Sequence, residues 1–231
     1  IPVIFHILNK NDSGLTTCNR CSGSGRWRAY MKITLQWDKP KPASLKISYE
    51  SAGAAQLLSR RLSQSLERVS PDSEIIVLCV GTDRSTGDAL GPLVGTALTR
   101  NMIGFPVYGT LQEPVHAMNL RETMDRIRAL HREPYTIAVD ACLGHTSSVG
   151  CIQIAEGPVK PGAGVNKELP PVGDVHITGI VNVSGFMEYF VLQNTRLCLV
   201  VGMAEVIADA IRDALARCRS VRALISGSVP D

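Results

Sequence analysis

From about Ala52 onward the apolar positions fall into two alternating patterns. Ala54–Val69 places Leu57, Leu58, Leu62, Leu66 and Val69 on one face with charges opposite, the spacing of an amphipathic helix. Glu74–Val80 is a continuous apolar run of the kind a parallel sheet buries on both faces. Pro92–Asn101 then reads as a helix, Phe105–Thr110 as a short strand, and Met118–Leu130 as an amphipathic helix closed by Arg132-Glu133-Pro134. Tyr135–Val139 is the next buried strand, and Val149–Glu156 alternates as another. Pro158–Pro171 is loaded with Gly and Pro and reads as a loop. Val181–Gln193 reads as a helix, Leu197–Gly202 as a strand and Ala204–Arg217 as a closing helix. Strands alternating with helices imply an α/β fold, with a mostly parallel sheet flanked by helices on both faces.

The first 30 residues differ. Cys18–Ala29 is rich in Gly, Ser and Arg without a period, and the first methionine is Met31. Residues 1–30 are expected to be an arm upstream of the natural start, and 31–231 a single domain. Lys39–Ser48 holds two prolines and reads as a linker or an edge strand.

Composition narrows the function classes. With 231 residues, 45% of them hydrophobic, the chain can bury one sizeable core. A net charge of +3, with no polybasic block or arginine stripe, speaks against nucleic acid as a partner. The apolar runs are too short and interrupted to span a membrane. Ile1–Leu8 lacks the basic flank of a signal peptide, so a soluble cytoplasmic protein is expected. Seven cysteines, an odd count, include Cys79, Cys151 and Cys198 inside apolar runs, where a free thiol is a small hydrophobe. Cys18 and Cys21 form a lone C-x-x-C with only His6 nearby, too few ligands for tetrahedral zinc.

The chemistry sits where two apolar runs end in acidic turns. Asp88 follows the Glu74–Val80 run through Gly81-Thr-Asp-Arg-Ser-Thr-Gly87, and Asp140 ends the Tyr135–Val139 run. A parallel sheet gathers such turns along its carboxyl edge, where open α/β folds keep their sites. Alone, Asp83 or Asp88 would serve as a turn or cap residue, with Ser85 and Thr86 beside it in the turn. Two acids brought together cannot both ionise cheaply, so they share a proton and can activate water. The same pair could instead hold a divalent cation. Gly81 and Gly87 let the backbone turn sharply and approach a ligand. The stretch has neither a P-loop lysine nor a G-x-G-x-x-G spacing, so no cofactor is expected.

His116, beside Glu113 and Pro114 after a strand, is expected at the same edge as a supporting polar contact. His145 reads as a rim residue, His176 as a loop residue near Asp174, and His131 as the exposed end of a helix. Cys142, two residues past Asp140, reads as a packed side chain or, as the alternative, a nucleophile.

Through VGTDRSTGDALGP, GTLQEPVHA and AVDACLG, residues of roughly 74–217 resemble the YyaC-type sporulation proteins of endospore-forming bacteria. More distantly, the two acidic turns are similar to the spore germination protease and the hydrogenase maturation peptidases. The resemblance implies a three-layer phosphorylase/hydrolase-like fold with a central mixed sheet. The germination protease uses a Pro-Asp-Ala-Leu-Gly-Pro string and an Asp-Ala string for its two aspartates. The likeness carries those roles to Asp88, in Asp88-Ala-Leu-Gly-Pro92, and to Asp140, before Ala141. In the hydrogenase peptidases the equivalent acids and a histidine at a later Gly-rich helix recognise nickel. Asn182 stands where that histidine would be, with His176 as a substitute from the loop, and an amide is a much poorer nickel ligand. No resident metal is therefore implied.

The expectation is an aspartate-pair peptidase acting on a peptide or small spore protein, and the resemblance implies the forespore or spore core as its place. A non-catalytic sporulation binding or checkpoint protein and a metal-dependent hydrolase are the alternatives. Apolar inner helix faces leave room for a homo-oligomer.

Overall fold

Strand and helix periodicity resolve into one sheet with a core on each face. The computed structural model describes residues 43–101, 104–162, 169–185 and 187–226. Along them run β1 (Leu45–Ser48), α1 (Ala54–Leu66), β2 (Ile75–Cys79), α2 (Leu90–Arg100), β3 (Val107–Tyr108) and α3 (Leu120–Leu130). After these come β4 (Tyr135–Gly144), β5 (Cys151–Glu156), β6 (Val175–Val183), α4 (Glu188–Gln193) and α5 (Leu197–Ser226). A 3-10 turn, Gly87–Ala89, runs directly into α2. The strand order is β1-β5-β6-β4-β2-β3. Strands β3, β2, β4 and β6 are mutually parallel, and β5 is antiparallel to both β6 and β1.

Alternation along the strands sorts the side chains. Ile75, Val77, Cys79, Ile137 and Val139 face the core formed with α1, α2 and α5. Ile76, Leu78, Val80 and Ala138 face a smaller core with Leu120 and Ile127 of α3. The result is the three-layer α/β arrangement expected, with a mixed and mostly parallel sheet. Full burial of each such Leu or Ile contributes about 1.5–3 kcal/mol, against which the chain entropy must be set.

Three elements differ from the sequence reading. Val175–Val183 is a strand, so the helix expected over 181–193 shrinks to α4. Gly179 hides the strand in the sequence, yet packing demands it: a Cβ there would lie 2.3 Å from Leu90 Cδ2. The Leu197–Gly202 run is the start of α5 and not a strand. Its apolar residues continue the 3.6-residue stripe Val200, Met203, Ala204, Ile207 and Ile211, all buried. On α1, Leu57 is 43% exposed, whereas Arg61 is buried. Arg61 bonds Ser65 Oγ at 2.7 Å and Glu156 at 3.4 Å, tying the helix to β5.

The connections define the functional edge. From β2 the chain leaves through α2 to β3, and from β4 it leaves the other way, toward β5 and β6. The crevice between the carboxyl ends of β2 and β4 is the topological switch point, where open α/β sheets hold ligands.

Candidate active site

Both aspartates are at this switch point. Strand β4 outruns its neighbour: pairing with β2 ends at Cys79↔Val139, and β4 continues to Gly144. Asp140 is therefore inside a strand, not after one, but it projects beyond the end of β2. Alternation turns it to the α3 side, with Val80 and Ala138. It is 7% exposed, and its Oδ1 accepts the Ala141 N–H at 2.9 Å. Asp88 arrives from the other strand. Gly81 N–H bonds Val115 O at 2.8 Å and Thr82 N–H bonds Asp88 O at 3.1 Å, folding the 80–88 loop back over the sheet edge. Gly81 makes this turn at φ 147, and a Cβ there would lie 2.0 Å from Asp88 O.

A cavity of about 290 Å³ joins the two acids. Its polar lining includes Thr82, Arg84, Ser85 and His116, and its apolar lining includes Met118, Leu169 and Leu192. Pro161, Gly162 and Leu169 form part of its wall, beside the Val159↔Val172 bridge.

Burial raises the pKa of both acids. Asp140 is held well above the usual carboxylate range, first by its loss of water and further by the charge of Asp88, with the Ala141 N–H opposing. Asp88, half-buried, is raised by burial and lowered in part by the Ser85 hydroxyl beside it. Of the two, Asp140 is the deeper and the more strongly raised.

The other expected residues divide. Gly81 and His116 line the cavity. His116 Nδ1 accepts the Met118 N–H at 3.3 Å, so in the neutral ring the proton sits on Nε2. Asn119 fixes this turn by accepting the His116 N–H at 2.8 Å. Asp83 is exposed and outside the cavity lining, while Gly87 is buried beneath Leu192 and Thr195. Cys142 is half-buried, its thiol pushed up to about 11 by burial and then by Asp140, which disfavours the thiolate a nucleophile needs.

His131 is not at an exposed helix end but drawn inward, donating to Glu74 at 2.8 Å and accepting from the Tyr108 hydroxyl at 2.6 Å. His176 is on β6, its Nδ1 donating to Gly157 O at 2.8 Å, and His145 is exposed. Asn182, on β6 and not at a helix start, donates to Val191 O and Thr195 Oγ1, both at 3.2 Å. Its amide is committed to holding α4. Among the described residues no three His, Cys, Asp or Glu side chains converge on a metal position. Cys18, Cys21 and His6 lie outside the described residues.

Sequence reasoning overlooked the rim. Met118 is 76% exposed and Tyr189 58%, facing the cavity from opposite elements.

These features define an α/β protein with a partly buried acid pair in its switch-point cleft. Residues 46–210 match the family described as protein of unknown function (DUF1256), and the chain belongs to that family. It is 57% identical over 166 residues to the uncharacterized protein YyaC of Bacillus subtilis (strain 168), covering 71% of this chain and 80% of that protein. The resemblance read from the VGTDRSTGDALGP string is thereby borne out. Among solved structures, the [NiFe] hydrogenase maturation protease HycI from Thermococcus kodakarensis KOD1 overlaps 66% of this chain and 99% of its own, at 20% identity and a TM-score of 0.47. An overlap this loose transfers no role.

Proposed function

We propose that the acid pair activates water to hydrolyse a peptide bond. The observation that carries this reading is the placement of Asp140 and Asp88 in one cavity, with both pKa values raised. Two carboxyls with one proton between them supply a base and an acid together. Asp88, the less buried, takes a proton from water as the water oxygen attacks the peptide carbonyl carbon. Asp140 gives its proton to the leaving nitrogen as the C–N bond breaks. One water is consumed, a carboxyl and an amine are released, and no electrons change hands. His116, which lines the cavity, would hold the carbonyl oxygen through its Nε2–H as a supporting contact. The substrate is a peptide segment or small spore protein presenting apolar side chains to Met118 and Tyr189.

Those same exposed side chains favour a second reading, in which the cleft binds such a segment without cutting it. No helix of the described residues is long and apolar enough to cross a membrane.

Digestion separates the two. The full chain is incubated with small acid-soluble spore proteins at several pH values between about 5 and 8, with Asp88→Asn and Asp140→Asn beside it. Mass spectrometry should find defined cuts with the wild type and none with either variant. Binding without cleavage by folded wild type would establish the second reading.

A further inference from the structure

A second cavity, of about 570 Å³, opens on the α3 side at the amino ends of β4 and β6 and shares no lining residue with the acid cleft. Its apolar lining is deep: Leu78, Ile127 and Val172 are buried, and Met124 and Pro134 are half-buried. Its charged lining is exposed and carries both signs, in Arg132, Glu133 and Asp174. The side chains of Arg132 and Glu133 have no hydrogen-bond or ion-pair partner among the described residues. The other basic groups of the lining are already engaged. Arg128 pairs with Asp125 at 2.9 Å, and the two ring nitrogens of His131 are taken by Glu74 and Tyr108. Two features fix the charged groups in place. Glu133 has φ 45, a left-handed conformation that a residue with a side chain adopts only where its surroundings hold it. Asp174 is tied twice to Thr136: its Oδ2 accepts the Thr136 N–H and its own N–H donates to Thr136 O, both at 2.8 Å. Its Oδ1 has no partner among the described residues.

An apolar cavity of this size with a few polar groups at its mouth suits a small molecule. The charges narrow the class. A fatty anion would satisfy Arg132 but meet like charge at Glu133 and Asp174, and an apolar cation would meet the reverse conflict. A ligand with one group of each sign and an apolar body answers all three residues. We infer that this cavity binds a small zwitterion, an α-amino acid or short peptide with an apolar side chain. The planar Arg132 guanidinium, with its paired N–H donors, takes the carboxylate. The Glu133 and Asp174 carboxylates take the ammonium, and the side chain enters toward Met124 and Pro134. The site makes no use of Asp88 or Asp140, so it stands whether or not the acid cleft hydrolyses anything.

The test titrates the full chain with L-leucine, N-acetyl-L-leucine, L-leucinamide and glycine, read by calorimetry and by backbone amide NMR. Leucine should bind and shift the amides of Met124, Thr136 and Gly173, while those of Arg84 and His116 stay still. Loss of the ammonium in N-acetylleucine, of the carboxylate in leucinamide or of the side chain in glycine should each weaken binding about tenfold or more. Arg132→Gln should bring leucine down to the level of leucinamide and leave leucinamide unchanged. Glu133→Gln combined with Asp174→Asn should bring leucine down to the level of N-acetylleucine and leave that probe unchanged. Asparagine at 174 still accepts the Thr136 N–H, so the fold is kept. Leucyl-leucine, which carries the same charges farther apart, separates the two sources: tighter binding than leucine assigns the cavity to short peptides, weaker binding to free amino acids. Absence of binding by leucine and leucyl-leucine at millimolar concentration overturns the proposal. Binding that shifts Arg84 and His116 instead, or that survives both sets of substitutions, overturns it equally.

Discussion

Replacing Asp140 with asparagine is expected to stabilise the fold at neutral pH while removing hydrolysis. The argument starts from the raised pKa of a carboxyl buried beside Asp88. Below its unfolded value, about 3.9, the group is protonated in both states and folding is indifferent to it. As pH rises past that value the unfolded chain releases the proton while the folded one keeps it. Stability therefore falls with rising pH until the folded pKa is reached, by about 1.4 kcal/mol for each unit between the two values. Asparagine mimics the protonated acid, since its oxygen still accepts the Ala141 N–H and its amide still donates. The variant should gain stability at neutral pH and nothing near pH 3. Hydrolysis should drop about 10²–10⁴-fold, the usual worth of a general acid. Denaturant melts of both proteins at several pH values read the stability. Parallel curves across the range would show that Asp140 is not holding a proton.

Gly81→Ala should be the most damaging small change at this edge. The residue has φ 147, and its Cβ would meet Asp88 O at 2.0 Å and Pro92 Cδ at 2.8 Å. Neither is the far end of a flexible side chain, so the turn or the start of α2 must move. Left-handed strain and overpacking together cost about 3–5 kcal/mol, a fall in Tm on the order of 10 °C. Gly157→Ala is the control, since it shares a positive φ but its Cβ would meet nothing within 4 Å. Calorimetry should rank the two clearly, and equal losses would show that the close approach at Asp88 does not matter.

The two aspartates were readable as candidates because each stands in or beside the turn that follows an apolar run, a pattern that survives without coordinates. The elements around them were readable too: α3 declares itself by its helical period and β2 by its unbroken apolar run. β6 escaped because Gly179 and Thr178 look like loop residues until Leu90 is seen pressing on the glycine. The first turn and a half of α5 was misread because Leu197–Val201 is apolar all round, and so short a run suits strand and helix alike. Local rules could not separate Asp88 from Asp83, and only the likeness of Asp88-Ala-Leu-Gly-Pro92 to a known string did so. That Met118 and Tyr189 line one cavity is a fact of tertiary assembly with no local sequence signature.

The two acids are anchored in unequal ways. Asp140 belongs to β4, which pairs with β2 as far as Val139 and with β6 at Asp140 itself, whereas Asp88 rides a turn fastened by a few loop hydrogen bonds. Amide exchange from a doubly paired central strand awaits global opening, while such turns open at far smaller free energies. On warming, the 80–88 loop is thus the first part of the cleft to lift away. The acids would then separate while the sheet still stands, and would come together again on cooling.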